Sequence, residues 1–334
     1  MQDKIILKKN SRQRLELNKV DLELLTFLEH QRLLTLQQFY QVAKHLFNIK
    51  MTEYSFKNRV RKFEDYHLIR GENYSEGFDG ERFKYLCIGS KAVDLLIENE
   101  LLDNSYTKSK IYKFNQKKNI LHYLATQQAA INLLIGLNGE LIRDPNTDEV
   151  KYPMLYNVTS FSHSPATFSY TEWIRNDKNL HRQNAGAYHA SVAKYMIGNK
   201  SSTQIHGSTM TIVKPDWIIE IKGSESKKIM DAIINIELDM GTEPFETLAQ
   251  KVFKYALLAE KNRNKLHIMD IVIADNSFSN RSTFSDGIRR TNNIFKRFNA
   301  DPAVIKRAQE SGLKIIVRPL KLNVEAVYKT LGKY

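Results

Sequence analysis

Five polar side chains in the second half of the sequence have types and spacings suited to chemistry on a phosphodiester. Asp216 precedes one apolar run, and Glu237 and Asp239 lie at the end of the next. Residues two apart on a strand share a face, so Glu237 and Asp239 are expected on the same side. Clustered carboxylates repel one another, and a hard divalent cation resolves that repulsion. We therefore predict that Asp216, Glu237 and Asp239 bind Mg²⁺ or Mn²⁺, which could activate water for phosphodiester cleavage.

Lys251 and Tyr255 follow on a predicted helix over 243–261 and, being four residues apart, share one of its faces. An ammonium there could stabilise the charge that develops on a transferring phosphate, and a phenol could hold a phosphate oxygen. The predicted catalytic set is thus Asp216, Glu237, Asp239, Lys251 and Tyr255. The same spacings also fit purely structural roles, with Asp216 capping a turn, Glu237 on a sheet edge, Asp239 ending a strand and Lys251 solvated.

An antiparallel hairpin is the element expected to bring the carboxylates together. The apolar runs 212–221 and 230–244 flank the polar loop KGSESKK. A loop centred near residue 225 places Asp216 opposite about residue 235, a diagonal neighbour of Glu237. Further strands are predicted at 265–275 and 312–320 with a helix between them, which indicates a mixed α/β sheet. Arg281 and four more cations, Arg289, Arg290, Lys296 and Arg297, follow the 265–275 strand.

The first hundred residues predict three helices followed by two strands around a Gly-rich loop. Helices are expected at 20–29, after Thr35 and after Thr52, and the strands lie between residues 68 and 87. This order is typical of a winged helix-turn-helix, whose third helix normally enters the DNA major groove. The residues expected to contact DNA are Ser55, Lys57, Asn58, Arg59, Arg61 and Lys62, together with Arg281 in the second domain. In the alternative, the charges of the third helix only solvate it, or the module docks a protein.

Length and charge agree with two domains and a nucleic-acid partner. The 334 residues carry a net charge of +13, which favours a polyanionic partner. We predict a winged helix-turn-helix domain over 1–103, a basic linker with five lysines over 104–118, and a second domain over 119–334. Without a long apolar segment or secretory signal, a cytoplasmic protein with no membrane partner is expected. The single cysteine, Cys87, excludes an intrachain disulfide and is expected to be buried on a strand.

Four motifs resemble the replication-relaxation family of plasmid and mobile-element proteins over most of the chain. They are H-x-L-A at 122–125, V-x-P-D at 213–216, E-x-D-x-G-T-E at 237–243 and K-x-x-x-Y at 251–255. The second domain of that family resembles the PD-(D/E)XK phosphodiesterases. In those enzymes a Pro-Asp on one strand and a Glu-x-Lys on the next hold the metal and the catalytic lysine. Asp216 and Glu237 match the two acids, whereas Asp239 stands at the lysine position, so Lys251 would have to substitute.

The resemblance implies an α+β chain in which a winged helix-turn-helix precedes a mixed α/β PD-(D/E)XK-like nuclease domain. It implies double-stranded DNA as partner and a role in replication initiation or conjugative DNA processing, with metal-dependent nicking as the candidate activity. The alternative is a non-catalytic initiator or regulator whose second domain dimerises or recruits replication or transfer proteins. A transcription factor with a ligand-sensing domain fits less well, because the polar cluster is acidic and lies on a hairpin. His181 and His189 lack the flanking strands of a relaxase metal cluster.

Overall fold

The structure is a computed structural model that describes residues 4–10, 13–75, 82–111, 120–137, 157–162, 168–169, 212–213, 215–222, 230–278 and 285–332. The chain divides into two compact units, Met1–Ile131 and Asn132–Tyr334. The boundary falls inside a helix, Ile120–Leu137. The sequence had placed the division earlier, at the linker 104–118.

The first unit contains the three helices and two strands expected of the N-terminal region, together with three short strands that the sequence did not predict. In chain order they are β1 Ile5–Lys8, β2 Arg14–Leu17, α1 Lys19–Gln31, β3 Leu34–Thr35, α2 Leu36–His45, α3 Glu53–Asp65, β4 Ile69–Ser75, β5 Arg82–Ile88, α4 Ser90–Glu98 and the start of α5, Ile120–Leu137. Strands β1 and β2 form a hairpin, and β3, β5 and β4 form a three-stranded antiparallel sheet. Cys87 is buried on β5 with a free thiol.

Capping side chains fix where the first three helices begin. Asn18 caps α1 and Thr35 caps α2, each through a reciprocal capping box with the residue three positions on. Thr52 Oγ1 accepts a hydrogen bond from the Ser55 amide at the start of α3. These caps accept hydrogen bonds from amides that have no partner inside the helix. Capping residues therefore allow helix starts to be predicted from the sequence.

The beginning of α5 packs within the first unit. Gln38 on α2 donates to the Leu124 carbonyl at 2.8 Å, and Tyr123 and Gln127 both donate to the Gln31 carbonyl, at 2.6 and 2.8 Å. The sequence had assigned this apolar helix to the sheet of the second domain. In the structure, hydrogen bonds with the first half of α5 satisfy the Gln31 carbonyl at the end of α1 and the Gln38 side chain of α2.

The second unit is built around a five-stranded mixed sheet. Its elements are β6 Asn157–Ser162, β7 Phe168–Ser169, β8 Ile212–Val213, β9 Trp217–Lys222, β10 Asp231–Asp239, α6 Phe245–Lys261, β11 Lys265–Ile273, α7 Ile288–Asn299, α8 Pro302–Ser311, β12 Lys314–Pro319 and α9 Leu320–Leu331. The strand order is β12-β11-β10-β9-β6. β10 runs parallel to β11 and antiparallel to β9, and β11 runs parallel to β12. The predicted mixed α/β fold is confirmed.

Strand β10 lies at the centre of this sheet and is buried along almost its whole length. Helix α6 packs against the neighbouring strand β11. Its stripe Leu248, Val252 and Ala256, whose core role the sequence predicts, shares one apolar core with Ile271 and Ile273 of that strand. Tyr255 joins the same core and is 1% exposed. A polar side chain on the face of β10 beneath α6 is therefore shut off from water. Within the described residues, no helix has the length and apolar character needed to cross a membrane.

Candidate functional site

The pairing of β9 with β10 places Asp216 beside Glu237. Trp217 pairs with Ile236, and the Asp216 amide donates to the Ile236 carbonyl at 2.9 Å. Continuing the register by one residue brings Asp216 opposite Glu237 instead of residue 235. The Asp216 carboxylate accepts the Leu238 amide at 2.9 Å. Asp216 thus forms the last hydrogen bonds between the two paired strands, and its carboxylate lies close enough to Glu237 to repel it.

Glu237 is a buried carboxylate with a partner on each oxygen. It lies on the central strand β10 and is 2% exposed, so the sheet-edge alternative does not describe it. Lys251 Nζ donates to Oε2 at 2.7 Å, and the Tyr255 hydroxyl donates to Oε1. Both donors come from α6, one turn apart, as their spacing predicts. The two side chains therefore fasten this helix to the central strand through one acidic group.

Burial dominates the protonation of Glu237. Loss of water raises the pKa of its carboxyl from 4.5 to about 7, and repulsion from Asp216 acts in the same direction. The Lys251 ammonium lowers the pKa of Glu237, but the same ammonium also pairs with a second carboxylate, that of Glu243. Burial likewise raises the pKa of Tyr255, with the Glu237 charge adding to the shift, so the phenol remains a donor.

Lys251 bridges two acids. Its ammonium lies 2.7 Å from Glu237 Oε2 and 2.7 Å from Glu243 Oε1. Burial opposes its charge, but the two carboxylates outweigh burial and raise the pKa of Lys251. Its side chain is 25% exposed, so Lys251 is only partly shielded from solvent. The ammonium is thus cationic at neutral pH and is positioned at the edge of the buried acid.

Asp239 belongs to a second ion pair at the end of β10. Its Oδ2 accepts Arg290 Nε from α7 at 2.7 Å, and Oδ1 accepts the Gly241 and Glu243 amides at 2.7 and 3.3 Å. Arg290 also donates to the Glu243 carbonyl. Asp239 therefore organises the turn that leads from β10 into α6. It also ties that turn to α7.

As arranged, these residues do not fit a metal ion. Both oxygens of Glu237 and both of Asp239 are already bound by protein donors, and Asp216 accepts a backbone amide. Within the described part of the chain, no three His, Cys, Asp or Glu side chains form a group that could hold a metal. Mg²⁺ or Mn²⁺ at Asp216, Glu237 and Asp239 stays a prediction.

The residues predicted to face DNA on α3 divide into two groups. Lys57, Arg61 and Lys62 are exposed and form only weak contacts or none with other described side chains. Asn58 is partly buried on the same helix, and Ser55 is exposed but shares the Thr52 cap. Arg281 lies outside the described residues.

Arg59 points into the first unit instead. Its guanidinium pairs bidentately with the buried Asp21 of α1 and donates to the Glu16 carbonyl at 3.1 Å. It also lies over the Phe63 ring at 5.1 Å. Arg59 therefore holds α3 against α1 and β2, and it is a positioning residue for the exposed face of α3.

Sequence reasoning missed two residues of the site and one buried acid outside it. Glu243 counted only as a helix start, and Arg290 only as one of several cations, because its partner is 51 residues away. The third, Asp270 on β11, is fully buried and accepts Asn323 Nδ2 at 2.7 Å. Burial raises the pKa of Asp270 from 3.8 to about 7. An acid inside an otherwise apolar run, LHIMDIVI, was the available signal for Asp270.

Comparison with known proteins identifies one family. The sequence model of the replication-relaxation family matches residues 25–269. This span runs from the second half of α1 through α5 and includes five residues of the second unit: Asp216, Glu237, Asp239, Lys251 and Tyr255. No curated protein and no solved structure shows significant similarity to the chain.

The two buried acids predict how the stability of the second unit depends on pH. Folded Glu237 holds its proton to about pH 7, whereas its ordinary pKa is 4.5, and Asp270 shifts in the same direction. The folded chain then binds more protons than the unfolded chain between those values, so stability falls as pH rises through this window. Each group contributes a slope of at most about 1.4 kcal/mol per pH unit.

Denaturant unfolding of the second unit, followed by the fluorescence of its two tryptophans, Trp173 and Trp217, between pH 4.5 and 7, measures this slope. We expect Glu237→Gln and Asp270→Asn each to remove part of it and the double variant to remove most of it. Glu246→Gln, an exposed acid on α6, is the matched control and should leave the slope unchanged. A slope equal in the wild type and the double variant would contradict the assignment.

Proposed function

The chain belongs to the replication-relaxation family, and from that premise we propose that it binds double-stranded DNA through its first unit. Membership implies a role in the replication or relaxation of plasmid or mobile-element DNA. The observation that carries the proposal is the exposed cationic face of α3, formed by Lys57, Arg61 and Lys62. Phosphate neutralisation by Lys and Arg supplies much of the affinity of such proteins for DNA.

The surroundings of α3 support this assignment. The helix follows α1 and α2, and the antiparallel pair β4 and β5 comes next, the order of a winged helix-turn-helix. Phe56, Val60 and Phe63 form its buried stripe, and Arg59 anchors it from the side. Packing therefore fixes one face of the helix and leaves the opposite, charged face open to a phosphate backbone.

Cleavage of DNA by the second unit is a second candidate function. Its support is the placement of Asp216 opposite Glu237 on adjacent strands, with the Lys251 ammonium at the acid. This is the arrangement that the PD-(D/E)XK resemblance implies, with the lysine supplied from α6. Lys251 would stabilise charge on the phosphate, and Glu237, with a pKa of about 7, could exchange a proton near neutral pH.

A non-catalytic second unit is favoured by a different observation. Every acid of the cluster already has protein partners, which is how a structural network is satisfied. In that case the unit would serve as a dimerisation or recruitment module for replication or transfer proteins. The two candidates share DNA binding and differ only in whether the backbone is broken.

Duplex binding can be tested with variants of α3. We expect Lys57→Ala and Arg61→Ala each to weaken binding to double-stranded DNA carrying the element's own origin. Each variant should also reduce the slope of log K against log salt by about 0.9, since each removes one phosphate contact. Fluorescence anisotropy across a salt series measures both quantities.

Two controls separate binding from folding. Lys91→Ala removes an exposed lysine from α4 of the same unit and should change affinity and slope little. Arg59→Ala breaks a partly buried ion pair, so it should lower the thermal stability of the first unit. Unchanged affinity at low salt for both α3 variants would assign this helix to protein contacts.

Cleavage can be tested on supercoiled plasmid carrying the same origin, with and without Mg²⁺ or Mn²⁺. If the second unit cleaves, the wild type converts plasmid to the nicked form, and Glu237→Gln and Lys251→Met lose that activity by at least about 100-fold. Glu246→Gln should retain it. Nicking that is equal in the wild type and both site variants, or absent from all of them, would establish the non-catalytic alternative.

A further inference from the structure

A basic pocket lies beside the acid cluster, where the start of α6 meets α7. Its volume is about 420 Å³, within the range of small-molecule sites. Its walls include Phe245 from α6 and Arg290, Asn293, Ile294, Lys296 and Arg297 from α7. Arg290, Asn293, Ile294 and Arg297 recur at spacings of three and four, so the pocket follows one face of that helix.

The pocket carries cations and no acid. Arg290 is already engaged with Asp239 and the Glu243 carbonyl. Lys296 and Arg297 are exposed, and among the described residues neither has a carboxylate within 4.0 Å. Two uncompensated charges at one end of a concave site favour an anionic ligand.

The remaining surface of the pocket is apolar and partly aromatic. Phe245 contributes a ring that packs against Phe298 with 5.1 Å between centroids. The Arg297 guanidinium lies 5.7 Å from the centre of the Phe245 ring. An aromatic face and a guanidinium plane are the surfaces on which nucleobases stack. An inorganic anion would use the cations alone, whereas a nucleotide would use both parts of the pocket.

We propose that this pocket binds one nucleotide of a DNA strand, with its phosphate at Lys296 and Arg297 and its base against Phe245. The proposal rests on the proposed DNA-binding function and assigns a strand contact to the second unit. Arg290 connects the two sites, because it lines the pocket and pairs with Asp239. A strand held here would therefore pass close to the turn that carries Glu243, a partner of Lys251.

The test measures binding of a fluorescent single-stranded oligonucleotide of about eight nucleotides to the full chain by anisotropy. We expect Arg297→Ala and Lys296→Ala each to weaken binding about tenfold, as loss of a charge-assisted contact does. Phe245→Leu keeps an apolar residue at the start of α6 and should weaken binding severalfold. Thermal melting confirms that each variant is folded.

Arg289→Ala is the matched control, because Arg289 is an exposed arginine of the same helix that does not line the pocket. Equal losses of oligonucleotide affinity for Arg289→Ala and Arg297→Ala, or no oligonucleotide binding by the wild type, would overturn the assignment of this pocket. If dAMP displaces the labelled oligonucleotide, the pocket assignment is supported and a free nucleotide is sufficient for binding. Competition by unlabelled oligonucleotide but not dAMP would support it and show that a strand is required.

Duplex binding through α3 is measured on the same preparations and reports separately on the proposed function. A chain that binds duplex through Lys57 and Arg61 but fails the pocket test loses only the pocket assignment. A chain whose duplex affinity is insensitive to the α3 variants loses the proposed function of α3, whatever the pocket variants do.

Discussion

The second unit depends on compensating one carboxylate in the middle of its sheet. Glu237 lies on the central strand under α6, where an unpaired charge would cost several kcal/mol. Lys251 and Tyr255 offset this cost because, from a single helix, they donate hydrogen bonds to both carboxylate oxygens of Glu237. The helix is therefore fixed to the strand by polar contacts as well as by its apolar stripe. Because Lys251 also reaches Glu243, the turn between β10 and α6 is drawn into the same network.

A second ion pair extends this network towards α7. Asp239 lies two residues beyond Glu237. One of its carboxylate oxygens accepts hydrogen bonds from the turn amides, and the other accepts one from Arg290. α6, α7 and the connecting turn thus meet at the end of β10. There the acids Glu237 and Asp239 are buried, and the cations Lys251 and Arg290 are partly exposed.

Local chemistry made much of this predictable. Thr35 and Thr52 mark helix starts because capping depends on residues within one turn. The four-residue spacing of Lys251 and Tyr255 was sufficient to place both on one face of α6. Long-range pairings were not predictable, because no spacing rule links Arg290 to Asp239 or Arg59 to Asp21. The hairpin register came out two positions from the expected one, since the length of a polar loop does not fix its centre. The division of the chain inside α5 depends on hydrogen bonds from Gln38, Tyr123 and Gln127, whose partners lie far away in sequence.

Burial raises the pKa of the Glu237 carboxyl to about 7, and the Lys251 ammonium opposes that rise. The most direct measurement is a ¹³C NMR titration of the Glu237 side-chain carboxyl in the wild type and in Lys251→Met. We expect a midpoint near 7 in the wild type and a higher midpoint once the ammonium is removed. A wild-type midpoint near the ordinary value of 4.5, or one that the variant does not move, would contradict it.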